Sequence, residues 1–211
     1  MRAPLPRLVA ITETRLTRGR PLAAVLEAAV SGGLRAVLVR DKHLATAERR
    51  RLVEEATALL APFGGVVLVA TDEGLGGDGV HLAADDPFPL DARGIVGRSC
   101  HSSAEVAEAA AEGCAYVTLS PIFPSRSKPG YGPALGTLAL GGQPIPTLAL
   151  GGVDETNASS CMAAGAAGVA VMGALMGAGD PAAIAAALVA AVGGCAVLDK
   201  NTRQPSKEKV R

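Results

Sequence analysis

The sequence predicts an α/β fold, a small (β/α)8 TIM barrel with a shortened third helix region. Three observations carry this expectation. Eight short, near-continuous apolar runs recur along the chain, as strands buried on both faces do. Most are separated by helical patterns, and alternating strands and helices imply a parallel sheet. The unusual polar residues fall repeatedly just after the apolar runs, at the strand ends where barrels carry their chemistry. A doubly wound open sheet shares the alternation, and spacing alone does not separate the two.

The elements follow in order. Leu8–Ile11 is the first strand. Pro21 opens a helical pattern to about Ser31, closed by Gly32-Gly33. Ala36–Val39 is the second strand. Thr46 is placed to cap a helix reaching Leu60, which Pro62 and Gly64-Gly65 end. Val66–Ala70 is the third strand, and Glu73–Asp78 is too short for a full helix before the fourth, Gly79–Leu82. Gly94–Gly97 is the fifth, and Ser102 or Ser103 caps a helix over Ala104–Glu112. Ala115–Leu119 is the sixth. Ile145–Leu150 is the seventh, followed by a helix over Glu155–Ala164 with Asp154 or Thr156 as its cap. Gly168–Met172 is the eighth, and Pro181–Val192 the last helix. The expected organisation is one barrel domain over 1–198, then a polar, disordered tail from Asp199 to Arg211.

Composition narrows the function. The 211 residues suffice for one sizeable core. Twenty Lys+Arg balance 20 Asp+Glu, which removes the simple electrostatic case for nucleic acid or a membrane surface. Aromatics are 2% and Trp is absent, so base-stacking platforms are not expected. Cys100, Cys114, Cys161 and Cys195 form no C-x-x-C pair and no zinc spacing, and read as buried reduced thiols of a cytoplasmic protein. The N-terminus has no long apolar segment, and Ala182–Val192 is too short to cross a bilayer. A homo-oligomer is left open.

The polar strand ends suggest two anion sites. Arg40 and Lys42 are two apart, so they share a face and Asp41 takes the other. Two inward cations call for an anion, Arg with a planar fork and Lys with a point charge. A solvated loop with an Asp41 salt bridge is the plain alternative. Asp72 and Asp86 end consecutive strands and could share one hard cation such as Mg2+, with Asp85 able to substitute, or could merely cap turns. Ser99 and His101 share a face, and Cys100 points away, against a Cys–His nucleophilic pair. His101 could act as a hydrogen-bond donor or an acid/base, or be structural; His81, inside a strand, reads as structural. The stretch Ser120–Gly136 is too rich in Gly and Pro for helix or sheet, and carries Ser125, Arg126, Ser127 and Lys128. It reads as a functional loop, fit to close as a lid. Gly151-Gly152 and Gly173 follow the last two strands, where barrels often bind phosphate through backbone, although turn glycines look the same.

The chain resembles the thiamine-phosphate synthase/TenI family of small (β/α)8 barrels. The matching pieces are Val39–Lys42, Asp78–Leu82 with Asp86 beyond, Gly97–Ser102, Ser120–Lys128, Ala149–Val153 and Gly168–Met172, in the family's order. The resemblance implies an Mg2+-dependent transferase that joins a hydroxymethylpyrimidine diphosphate to a thiazole phosphate. It implies that Arg40, Lys42 and Lys128 hold the diphosphate with Ser99, Ser125 and Ser127, and that Asp72 and Asp86 ligate Mg2+. It implies that Gly152, Met172 and Gly173 offer backbone to the thiazole phosphate. Thr71 stands where the synthases usually have Asn, Ser125 and Ser127 where they have Thr, and Gly173 where they have Ser. The TenI branch, a thiazole tautomerase, implies His101 as acid/base, and a barrel that only binds a thiazole or thiamine phosphate is a further alternative. Small phosphorylated molecules are the expected partners, without nucleic acid or membrane.

Overall fold

The computed structural model describes residues 5–89, 94–124, 132–194 and 198. Its eight strands are β1 (Leu8–Ile11), β2 (Ala36–Val39), β3 (Val66–Ala70), β4 (Gly79–Leu82), β5 (Ile95–Cys100), β6 (Tyr116–Leu119), β7 (Thr147–Ala149) and β8 (Gly168–Val171). Each pairs in parallel with the next, and β8 pairs with β1, so the barrel closes. Closure excludes the open sheet.

Strand parity sorts the side chains. One set of alternate residues, including Val9, Ile11, Leu38, Leu68, Ala70, Tyr116, Leu148 and Ala170, packs in the barrel interior. The other, including Ala10, Val37, Val39, Val67, Val69, Val117, Leu119, Val169 and Val171, packs under the helices. Both sets are apolar, which is why the strands read as continuous runs rather than alternating ones.

The helices are α1 (Leu22–Ser31) after β1, α2 (Thr46–Leu60) after β2, α3 (Ser103–Glu112) after β5, α4 (Ala158–Ala163) after β7, and α5 (Gly173–Met176) with α6 (Pro181–Ala191) after β8. Between β3 and β4 there is only the 3-10 turn Glu73–Leu75, as the short spacing predicts. Several details differ from the expectations. Thr46 is the first residue of α2 and not its cap; Ala45 holds that position, and Glu48 reaches back to its N–H. The β5 strand continues through Arg98, Ser99 and Cys100. The α4 helix starts three residues later than the pattern suggests, because the Asp154 carboxylate accepts from Thr156 and closes a turn instead. The α5 helix is too short to show a period. Ser102 does cap α3, accepting from the Glu105 N–H, and Asp180 caps α6. No helix among the described residues is long and apolar enough to cross a membrane. The expected tail beyond Leu198, and Cys195, lie outside the described residues.

Candidate active site

The first corner of the barrel mouth lies at the ends of β1 and β2. Asp41 is fully buried and accepts hydrogen bonds from the Thr12 hydroxyl and the Thr14 N–H. It therefore faces away from the mouth, as the two-residue period requires, and anchors β2 to β1; among the described residues it forms no salt bridge of the kind the plain alternative expects. Arg40 is half-buried and its guanidinium lies 3.2 Å from Glu13. Lys42 is exposed. Glu13 was not singled out from sequence, although it sits two residues past the inward Ile11 and so has the parity of a mouth residue. It is buried, takes a two-pronged hydrogen bond from Arg15 at 2.7 and 2.9 Å, and lies 3.5 Å from His43. The Arg15 hydrogen bond and the surrounding cations hold its carboxyl below the usual range, against the effect of burial.

The second corner joins β3 and β4. Thr71 has φ of 61°, in the left-handed region, and its N–H donates to the His81 carbonyl. Asp72 follows, with one carboxylate oxygen accepting from the Gly74 N–H at 3.0 Å. Asp86 accepts from the Ala83 N–H at 2.8 Å, whereas Asp85 is exposed. Ala70 is in register with His81, so both carboxylates leave neighbouring strand ends. The buried Arg98 guanidinium donates to the carbonyls of Ala83, Ala84 and Asp86 at 2.7–3.0 Å and pairs with Glu112 at 2.9 Å. It holds the turn that presents Asp86.

Two acidic groups could be weighed for a metal. Glu13, Asp41 and His43 bring ligand atoms within 4.8 Å of one another. Both carboxylates there are already engaged, and Arg15 and Arg40 add positive charge, so the cluster is an ion-pair network that suits a divalent cation poorly. Asp72 and Asp86 fit better. Each uses one oxygen in its own turn and has no second hydrogen bond among the described residues. Two such oxygens, with waters and phosphate, suit Mg2+.

The third corner lies at β5 and β6. The Ser99 hydroxyl is 3.0 Å from His81 Nε2. His101 Nδ1 lies 2.8 Å from the Ser120 carbonyl, which can only accept, so Nδ1 carries the hydrogen. Cys100 packs outward in the core, and burial first of all pushes its thiol up to about 12. It is inert at neutral pH, as its parity suggests. Ser125, Arg126, Ser127 and Lys128 lie outside the described residues. The stems of their loop are paired: Leu135 and Gly136 donate to the carbonyls of Pro121 and Ile122.

The fourth corner is a cavity of about 970 Å3 lined by the ends of β7 and β8, by α5 and by Arg15, Arg18 and Arg40. Gly151, Gly152, Met172 and Gly173 all line it. Gly151 and Gly152 have φ of 88° and 64°, and a Cβ on Gly152 would lie 2.6 Å from the Pro124 carbonyl oxygen. These glycines thus also admit the sixth loop's stem, where Ile122 and Phe123 donate to the carbonyls of Leu150 and Gly151. Of the residues expected at a site, Arg40, Gly152, Met172 and Gly173 meet in this cavity; Lys42, Thr71, Asp72, Asp86, Ser99 and His101 are not among its lining residues.

A closed parallel barrel with cations, carboxylates and a glycine-lined cavity at one end defines an α/β barrel protein equipped for phosphorylated ligands. The family model described as thiamine monophosphate synthase matches residues 8–175, and the chain belongs to that family. It is 36% identical to the thiamine-phosphate synthase of Chloroflexus aurantiacus over 88% of this chain and 92% of that one. It is 38% identical to that of Chromobacterium violaceum over 86% and 93%. The solved thiamine phosphate pyrophosphorylase of Pyrococcus furiosus superimposes with a TM-score of 0.78 and 26% identity, covering 88% of this chain and 95% of that one. Family, fold and relatives agree on a transferase activity, thiamine-phosphate synthesis.

Proposed function

We propose that the protein couples hydroxymethylpyrimidine diphosphate to thiazole phosphate in a Mg2+-dependent cytoplasmic reaction, giving thiamine phosphate and diphosphate. The carrying observation is the division of the barrel mouth. One half, at the ends of β2, β3 and β4, has Lys42 and the carboxylates Asp72 and Asp86; the other, at β7 and β8, is a cavity with glycine backbone at Gly152 and Gly173, and Arg40 joins the two, following β2 and lining the cavity. A diphosphate with Mg2+ suits the first and a monophosphate the second.

In this reading the C–O bond between the pyrimidine methylene and the diphosphate breaks, and the electron pair leaves with the diphosphate. Arg40, Lys42 and Lys128 meet the charge that develops on the leaving oxygens, and Ser99, Ser125 and Ser127 donate hydrogen bonds to it. Bound at Asp72 and Asp86, Mg2+ would add Lewis-acid neutralisation of the same group. The thiazole nitrogen, held in the cavity by its phosphate, donates its lone pair to the methylene carbon and closes the new C–N bond. Glu13 keeps the Arg40 guanidinium directed by its 3.2 Å contact. Purified protein with both substrates and Mg2+ should release one diphosphate per thiamine phosphate, and EDTA should stop it. Absence of turnover with fresh substrates would refute the proposal.

One observation favours a second reading, thiazole tautomerisation. The Ser120 carbonyl fixes His101 with hydrogen on Nδ1, an orientation that an acid/base working through Nε2 would use. In that case His101→Ala abolishes metal-independent proton exchange on a thiazole carboxylate phosphate, and retained exchange removes this reading.

A further inference from the structure

Behind Ser99 the barrel interior holds a polar chain to which the reaction outlined above gives no role. His81 and Tyr116 are both buried, and their facing atoms, Nδ1 and the hydroxyl, are 2.8 Å apart. The other ring nitrogen, Nε2, lies 3.0 Å from the Ser99 hydroxyl and 3.4 Å from that of Thr118. Gly97 makes the arrangement possible. A Cβ there would fall 2.2 Å from the Tyr116 ring. The sequence thus places a glycine, a tyrosine and a histidine on three adjacent strands, β5, β6 and β4, so that one phenol fits beneath one imidazole.

The chain has a direction. A neutral imidazole has one donor and one acceptor nitrogen. His81 is neutral, because burial above all, with the charges of Lys42 and Arg98, lowers its pKa to about 3. If Nδ1 carried the hydrogen, it would donate to the Tyr116 oxygen, and the buried phenol hydrogen would have no acceptor among the described residues. An orphaned buried donor is costly. With Nδ1 bare, Tyr116 donates to it and Nε2–H donates to Ser99. Thr118 then accepts at 3.4 Å and its own hydrogen is left over, a smaller loss than the 2.8 Å Tyr116 bond because the contact is long. The Ser99 oxygen then accepts from within the barrel, and its own hydrogen is left to point out of the mouth.

We propose that His81, locked by Tyr116, is a positioning residue that makes Ser99 a hydrogen-bond donor toward the diphosphate. This rests on the reading of Ser99 as a diphosphate ligand. The same serine with the opposite imidazole tautomer would give its hydrogen to Nε2 and present only lone pairs to an anion.

The test combines a spectrum with kinetics. The protein has three histidines, so their ring nitrogens can be followed by 1H–15N correlation. The signals that His81→Asn removes assign the His81 ring, which with its pKa lowered to about 3 stays neutral between about pH 5 and 8. It should show hydrogen on Nε2 and a bare Nδ1. Tyr116→Phe, which keeps the ring over Gly97, should shift that tautomer. It should lower kcat/KM for the pyrimidine diphosphate about tenfold, the effect of one hydrogen bond to a charged group, without moving the KM for thiazole phosphate. Ser99→Ala should lose as much, and the double variant no more than either alone. Thr118→Val should stay within about twofold of the parent, since its contact is long. Hydrogen on Nδ1 in the parent protein overturns the proposal, whatever the turnover. Additive losses in the double variant also overturn it. An unchanged Ser99→Ala with the expected tautomer refutes the diphosphate role of Ser99 itself, and absent turnover in the parent refutes the reaction.

Discussion

Thr71 holds a left-handed backbone, φ 61°, although its branched side chain disfavours it. Such a residue costs of order 1–3 kcal/mol, and Asn tolerates the region better. Thr71→Asn should therefore raise stability by about 1 kcal/mol, read as a Tm rise of about 2–4 °C in a chain of this length. Glu13 gives a pH signature. Its folded pKa lies below the unfolded one because Arg15 hydrogen-bonds the charged form. The stabilisation is thus present above the unfolded carboxylate pKa, about 4.3, and is lost as pH falls through the lowered folded value. Glu13→Gln should be less stable than the parent at pH 7 in denaturant titrations, and the gap should close below about pH 4. The charges at Arg40, Lys42, Asp72 and Asp86 were legible because each lies within four residues of the end of a strand. Glu13 was not picked out, because Thr14-Arg15-Leu16 reads as the start of a loop and gives no second cation at period two.

At the scale of elements, packing determines what composition only suggests. Gly97 is required by Tyr116, and Gly97→Ala should cost about 1–3 kcal/mol through overpacking of the interior, measured as a lower denaturation midpoint. Arg98 spans three carbonyls of the Ala83–Asp86 turn. Arg98→Lys keeps the charge but not the fork, and should weaken apparent Mg2+ affinity in the diphosphate assay roughly tenfold, as loss of a group supporting a metal ligand does. Most strand limits were legible to within a residue or two, because both faces are apolar and Gly or Pro flanks most of them; β5 runs three residues further, through Arg98, Ser99 and Cys100. Helix starts were less so. The caps Ser102 and Asp180 follow the rule, while Asp154 turns onto Thr156 and delays α4, a choice between two local hydrogen bonds that sequence does not decide.

For the whole molecule, alternation gave the parallel sheet, but closure depends on β8 meeting β1, a contact between chain segments about 160 residues apart that no local pattern encodes. Closure puts the strand ends in one ring, with Lys42, Asp72 and Asp86 following β2, β3 and β4, and a cavity at β7 and β8 lined by Gly151, Gly152 and Gly173 and by Arg15, Arg18 and Arg40. One kinetic measurement separates the two halves. The KM for each substrate is determined in Lys42→Gln, outside the cavity lining, and in Ala174→Asp, which places a negative charge in it. Lys42→Gln should lower kcat/KM for the pyrimidine diphosphate roughly ten- to a hundredfold and leave the thiazole phosphate KM in place. Ala174→Asp should do the reverse, raising the thiazole phosphate KM alone. Equal changes in both KM values from either variant, or the opposite assignment of the two halves, would contradict the account.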